Sequence, residues 1–279
     1  MTAPPTDADV ADLADLLALA TDLGQRAAAL LHDAVAGERT SVRSKSTSTD
    51  MVTEMDRAAE RLIVDGILAV RPDDGILGEE GTDRAGTSGY RWIIDPLDGT
   101  TNYIYAHPGY AVSIAVEHER ADVHGRRTIV GVVVDPEHAD VFSAVAGAGA
   151  TRNGVPVSCS TETDLAHALV ATGFGYDPSR RARQAEVLTR VIPHLRDIRR
   201  MGAASVDLCS VACGRVDAYY EKGLAPWDHA AGALVAAEAG VTVRNLDGDA
   251  DLAPFVLAAP PALFEPLREH LRRAGADDV

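Results

Sequence analysis

The stretch Trp92-Ile93-Ile94-Asp95-Pro96-Leu97-Asp98-Gly99-Thr100-Thr101-Asn102 constrains this chain more than any other. An apolar, β-prone run delivers two carboxylates, and a Gly-Thr-Thr turn then opens a helix. Pro96 has a fixed φ and no N–H to donate, so the turn between the acids is stiff. Two rigidly held carboxylates suit hard divalent cations, which take oxygen ligands. The amides of Gly99 and Thr100 then stand where a helix N-terminus receives an anion. A cation site beside a phosphate-sized anion site points to phosphoryl chemistry. The plainer alternative is a polar loop after a buried strand, because Asp, Pro and Gly are ordinary turn residues.

At 279 residues, with 46% hydrophobic and 24% charged residues, the chain has the length to bury a large core and the composition of a soluble globular protein. No apolar run approaches the roughly 18–20 residues of a membrane span. Met1 to Asp9 carries Pro4, Pro5 and acids but no positive charge, unlike a secretory signal. Three irregularly spaced cysteines (Cys159, Cys209, Cys213) read as reduced thiols of a cytoplasmic protein, with Cys209 and Cys213 on one helix face as core. A net charge of −16 argues against nucleic acid or an anionic membrane as partner. An acidic protein still binds phosphates where bound cations reverse the local field. Lys45 and Lys222 are the only lysines among 26 basic residues, which hints at a need for a compact ammonium. Lys222 reads equally as surface.

Apolar periodicity predicts helices over residues 8–36 and 53–70, with a Ser/Thr-rich loop at Arg43 to Thr49 that carries Lys45. Pro72-Asp73-Asp74-Gly75 closes the second helix, and Ile76-Leu77-Gly78 is a short strand ending in Glu79-Glu80. β-like segments follow at 111–117, 128–134 and 140–146, with a hairpin turn from Gly147 to Val157. From about residue 164 strands and helices alternate: a strand at 168–172, a helix at 180–194, the segment 202–213, and strands at 217–220 and 240–243 flanking a helix at 227–239. With no linker and no repeat, the expectation is one unit over residues 1–279. Its halves are 1–160, with an antiparallel sheet, and 161–279, with mixed or parallel βα units.

Acids stand at element ends in four places: Asp50-x-x-Thr53-x-x-Asp56, Gly78-Glu79-Glu80, Asp95-x-x-Asp98 and Trp227-Asp228. Each has a bland reading. Asp56 suits the first turn of a helix, Glu79-Glu80 suits a surface loop, and Asp228 can cap the helix after Pro226. Taken in order, with Tyr219-Tyr220-Glu221 and Trp227-Asp228-His229-Ala230-Ala231-Gly232, they resemble the motifs of the inositol monophosphatase family from about Lys45 to Gly240. The opening string matches that family's signature, W-x-I-D-P-[IL]-D-G-T-x-N.

The resemblance implies a layered α-β-α-β-α sugar-phosphatase fold and a Mg²⁺-dependent, lithium-sensitive phosphatase acting on a small phosphate monoester as a homodimer. It implies that Glu79, Asp95 and the Leu97 carbonyl bind one Mg²⁺, that Asp95, Asp98 and Asp228 bind a second, and that a third, weaker position lies near Glu79. Asp56 and Thr100 would activate the attacking water, and Lys45 would hydrogen-bond metal-bound water. Gly99 and Thr100 would hold the phosphate; Glu221 and Gly202-Ala203-Ala204 would contact substrate hydroxyls. Physical chemistry is consistent with these roles, since two cations roughly 3.5–4 Å apart stabilise both the entering and leaving oxygens of an in-line displacement. An all-oxygen donor set without Cys or His favours Mg²⁺ over zinc.

No G-x-S-x-G elbow competes, His229 reads as structural, and the segment from Asn245 to Asp251 has no glycine at the sixth position of a calcium loop and no acid at the twelfth. Thr101-Asn102-Tyr103 is similar to the inositol monophosphatase branch, which makes myo-inositol 1-phosphate the first expectation. Histidinol phosphate, fructose 1,6-bisphosphate, adenosine 3′,5′-bisphosphate and NADP are the alternatives. Ala203 and Ala225 depart from the family at positions near the sugar side. A regulatory binding protein that kept the fold is the non-enzymatic alternative.

Overall fold

The computed structural model describes residues 7–40, 48–119, 126–249, 252 and 254–278. Two long helices come first, α1 (Asp7–Thr40) and α2 (Ser48–Val70). The predicted loop at 43–49 therefore ends earlier than expected, and residues 41–47, Lys45 among them, lie outside the described residues.

The first sheet is built from β1 (Gly75–Gly78), β2 (Asp83–Arg84), β3 (Tyr90–Asp98), β4 (Ala111–Glu119), β5 (Arg126–Asp135), β6 (Asp140–Val145), β7 (Gly149–Arg152) and β8 (Val155–Pro156). Their order is β2-β1-β3-β4-β5-β6-β7-β8. All pairs are antiparallel except β1 with β3, which is parallel. The single turn expected over 147–157 is instead two tight turns joining β6, β7 and β8.

A short helix α3 (Thr100–Ile104) follows β3. The second half contributes β9 (Leu169–Thr172), α4 (Pro178–Val191), β10 (Asp197–Arg199), α5 (Ala204–Ala212), β11 (Ala218–Lys222), α6 (Pro226–Glu238), β12 (Thr242–Arg244), β13 (Phe255–Ala259) and α7 (Pro261–Arg273). Its sheet runs β10-β9-β11-β13-β12, parallel at β9–β10 and β9–β11 and antiparallel on both sides of β13. The mixed sheet matches expectation. The elements β10, β13 and α7 were not anticipated: β10 is three residues long, and the apolar run of β13 is hemmed by prolines.

Side-chain alternation across the strands defines five layers. Ile94, Ile114 and Val132 face α1 and α2, meeting Leu16, Leu23, Ile63 and Ile67. Ile93, Ala115 and Val133 face the other way, onto α5 and α6, which are covered in turn by Ala171, Tyr219 and Val256 of the second sheet. The far face of that sheet, with Val170, Tyr220 and Leu257, packs on α4 and α7 through Val187, Val191, Leu263 and Leu267. The order is α-β-α-β-α, as expected. Cys209 is buried in the middle layer, while Cys213 is half-buried at the end of α5.

Candidate active site

Asp95 and Asp98 share a strand, and an odd spacing in a regular strand points two side chains to opposite faces. The pairing of β3 with β4 resolves this. Asp95 lies opposite Ser113 and Asp98 opposite Ala111, so one extra residue is accommodated between them as a bulge. Pro96, which donates no ladder hydrogen bond, sits inside the bulge. The stiff element expected here is therefore this irregularity within β3, and it aims both acids at one cavity of about 310 Å³. That cavity is lined by Glu79, Asp95, Leu97, Asp98, Gly99, Thr100, Gly202, Ala204, Glu221 and Asp228, together with Phe174, Tyr176 and Arg200.

Asp95, Asp98 and Asp228 are each held through one oxygen by a protein donor. The Leu97 N–H donates to Asp95 Oδ1 at 3.0 Å. Asp98 Oδ2 accepts the N–H (2.8 Å) and the hydroxyl (2.6 Å) of Ser205 at the start of α5. Asp228 Oδ2 accepts the Ala225 N–H at 2.7 Å, which ties the first turn of α6 back to the residue before it as one half of a capping box. The bland reading of Asp228 as a cap is thus correct, and the same residue also lines the cavity. Thr100 Oγ1 donates to the Leu97 carbonyl at 3.2 Å.

Gly99 adopts φ +88°, a left-handed backbone that favours glycine, and a Cβ there would stand 2.7 Å from the Gly109 carbonyl. Asn102 Nδ2 donates to the carbonyls of Gly109 (2.6 Å) and Met201 (2.8 Å), which draws the 202–204 segment to the cavity. Ala203 does not line it. Only 1% exposed, it packs behind Gly99, so its expected contact with substrate is replaced by a packing role. His229 is also not among the lining residues.

The acids are electrostatically strained. Burial, then Asp98 and Glu79, push the Asp95 carboxyl well above its usual range. Burial pushes Asp98 up to about 7, with Asp228 adding to the rise and Ser205 opposing it. Glu79 is raised by desolvation and by Asp228, Glu80 and Glu60, and Asp228 is raised by burial. On α2, Asp56 is 4% exposed, its Oδ1 has no hydrogen-bond partner among the described residues, and burial followed by Glu80, Glu79 and Glu60 brings it to about 8.

As they stand, no three His, Cys, Asp or Glu side chains among the described residues form a ready-made coordination shell. The donor set itself fits a hard divalent cation: carboxylate and carbonyl oxygens, convergent on one cavity, with a buried acceptor at Asp56 still unsatisfied.

On the opposite wall, Tyr219 Oη donates to Glu221 Oε2 at 2.7 Å, and burial raises Glu221 while Tyr219 and Arg200 oppose the rise. Sequence reasoning missed Ser205, Arg200, Phe174, Tyr176 and the buried Asp207, whose Oδ1 has no hydrogen-bond partner among the described residues. None of these lies in one of the motifs read from the sequence, whereas Asn102 stands inside the opening string.

A sequence profile described as the inositol monophosphatase family matches residues 12–275. The inositol-1-monophosphatase SuhB of Mycobacterium tuberculosis is 45% identical over 244 residues, 83% of this chain and 81% of that protein. The Nus factor SuhB of Escherichia coli is 40% identical over 233 residues, 82% of this chain and 85% of that protein. Among solved structures, an inositol monophosphatase from Anabaena aligns with a TM-score of 0.80 at 32% identity, covering 94% of this chain and 97% of that one. Mycobacterium tuberculosis SuhB aligns with a TM-score of 0.80 at 40% identity over the same shares. The profile match from residue 12 to residue 275, with 45% identity across 83% of the length, makes this chain a member of the inositol monophosphatase family.

Proposed function

We propose that the protein is a Mg²⁺-dependent phosphatase of small phosphate monoesters, with myo-inositol 1-phosphate as its first substrate. The observation that carries this reading is the single cavity shared by Glu79, Asp95, Asp98 and Asp228, the carbonyl-bearing Leu97, and the Gly99-Thr100 pair. Glu79, Asp95 and the Leu97 carbonyl would hold one cation, and Asp95, Asp98 and Asp228 a second, with a third position near Glu79. Such ions, when bound, lower the pKa of a water and offset charge on a departing oxygen.

The chain's own residues do the rest. Asp56 and Thr100 orient the attacking water, and the unsatisfied Oδ1 of Asp56 is an acceptor for one of its protons. The Gly99 and Thr100 amides hold phosphate oxygens. Glu221, set by Tyr219, accepts from substrate hydroxyls beside Gly202 and Ala204. The water oxygen bonds to phosphorus as the ester P–O bond breaks; the water gives up one proton toward Asp56, and the departing alcohol oxygen takes one proton from solvent, so the protons balance. Lys45 belongs to this proposal through the family resemblance alone. So do lithium sensitivity and a homodimer, the latter checked by sedimentation mass. Three unpaired thiols suit the cytoplasm.

The test is phosphate release from inositol 1-phosphate, histidinol phosphate, fructose 1,6-bisphosphate, adenosine 3′,5′-bisphosphate and NADP, each with Mg²⁺, with and without lithium. Inositol 1-phosphate is expected to turn over fastest, and activity undiminished by a chelator would defeat the mechanism. A second reading, a regulatory binding protein, draws on relatives at 40% identity named Nus factor. No turnover on any substrate would favour it.

A further inference from the structure

Glu60 lies one helical turn beyond Asp56 on α2 and is 5% exposed, a burial uncommon for a glutamate. Its carboxylate sits inside the turn that carries Glu79. Oε2 accepts the Glu80 N–H at 2.9 Å, and Oε1 accepts both the N–H (3.2 Å) and the hydroxyl (2.6 Å) of Thr82. The turn is closed by the Gly78 N–H donating to the Thr82 carbonyl at 2.7 Å. A Cβ on Gly78 would stand 2.4 Å from Glu60 Oε2, so glycine is what admits the carboxylate.

The consequence falls on Glu79. Its own N–H donates to the Ile94 carbonyl at 3.1 Å, one residue before Asp95, and the next N–H donates to Glu60. The peptide groups on both sides of Glu79 are therefore tied, one to the strand bearing Asp95 and the other to the helix bearing Asp56. A rim acid that would otherwise swing on a surface turn is held in register with the other cavity acids. Among the described residues no Lys or Arg donates to Glu60; its partners are the N–H and O–H donors of the turn itself.

We propose that Glu60 is a positioning residue for the cation site: it touches no ion but presents Glu79 to it. The assignment rests on the reading of the cavity as a Mg²⁺ site. A glutamine at 60 keeps the volume but sets an NH₂ donor against a backbone N–H, which breaks one side of the clamp. Losing a partner that orients a ligand typically costs about 10–100-fold in metal affinity or activity.

The experiment compares the unsubstituted chain, Glu60→Gln and Thr82→Val by two readouts: the Mg²⁺ concentration for half-maximal phosphate release, and that for half of the Mg²⁺-dependent rise in Tm. Glu60→Gln should raise both midpoints by about 10–100-fold with kcat at saturating Mg²⁺ within a few-fold of normal. Thr82→Val, which loses one of the three bonds, should shift both the same way by less. Unchanged midpoints in a folded Glu60→Gln protein overturn the assignment, as does a fall in kcat at every Mg²⁺ concentration with the thermal midpoint unmoved. If Glu60→Gln does not fold, Thr82→Val decides by the same criterion. Absence of any Mg²⁺ response in the unsubstituted chain overturns the reading of the cavity and this assignment with it, whereas a normal response there confines failure to Glu60.

Discussion

At the scale of single residues, the cavity is governed by how each acid divides its two oxygens between protein and cavity. Asp98 spends Oδ2 on two donors of Ser205, 107 positions away. An asparagine at 98 can still accept those donors through its carbonyl but loses the charge that attracts a cation. Asp98→Asn should therefore retain the fold while phosphate release falls by on the order of 10²-fold or more, the scale seen when one preorganised electrostatic group is removed. Circular dichroism and a phosphate assay check the two halves, and near-normal release would sink the assignment of Asp98 to the cation. Glu221 shows a parallel economy, with Oε2 engaged by Tyr219 and its carboxyl kept against the cavity wall.

At the scale of elements, β3 and α2 do most to shape the site. The bulge between Asp95 and Asp98 turns an odd spacing into a shared direction, and α2 brings Asp56 and Glu60 to the turn after β1. That helix is fastened through Ala59, Ile63 and Ile67, all fully buried against the first sheet and α1. Removing the Ile63 side chain leaves a cavity in this seam. Ile63→Ala is expected to lower unfolding stability by about 2–5 kcal/mol, read from urea denaturation as a shifted midpoint with an unchanged slope. A loss below about 1 kcal/mol would mean that the seam collapses around the gap and that α2 is fastened elsewhere. The existence of both helices was legible from apolar periodicity. The bulge was not, because Pro96 and two acids read equally well as a loop.

At the scale of the whole molecule, carboxylates brought to one cavity couple ionisation to folding. In the folded chain Asp56 titrates at about 8 and Asp98 at about 7, against 3.8 for an ordinary Asp. Between those limits the folded state holds more protons than the unfolded state, so stability falls as pH rises through that window. Below it both states are protonated and the penalty vanishes. Bound cations favour the ionised acids and offset the loss. In chelator, Tm should drop from pH 5 to pH 8, and the Tm gained on adding Mg²⁺ should widen over the same interval. Parallel curves with and without Mg²⁺ would contradict a cation site built from these groups. The five-layer packing is what brings them together: the lining acids come from the turn after β1, β3, β11 and α6, Asp56 of α2 lies behind them within the field of Glu79 and Glu80, and the middle layer joins the first sheet to the second.

The linear order of residues determined the family, because the opening string, taken with the acids around Glu79 and Asp228, matches the motifs of inositol monophosphatases. It also determined the helical and strand character of most segments, through periodicity alone. Tertiary structure decided what periodicity cannot carry. Ala203 turned inward behind Gly99, Asp98 came to rest on Ser205, β1 paired parallel to β3, and Glu60 entered the turn that holds Glu79. Each of these depends on a contact between residues far apart in the chain, where burial and hydrogen-bond satisfaction, rather than local preference, set the outcome.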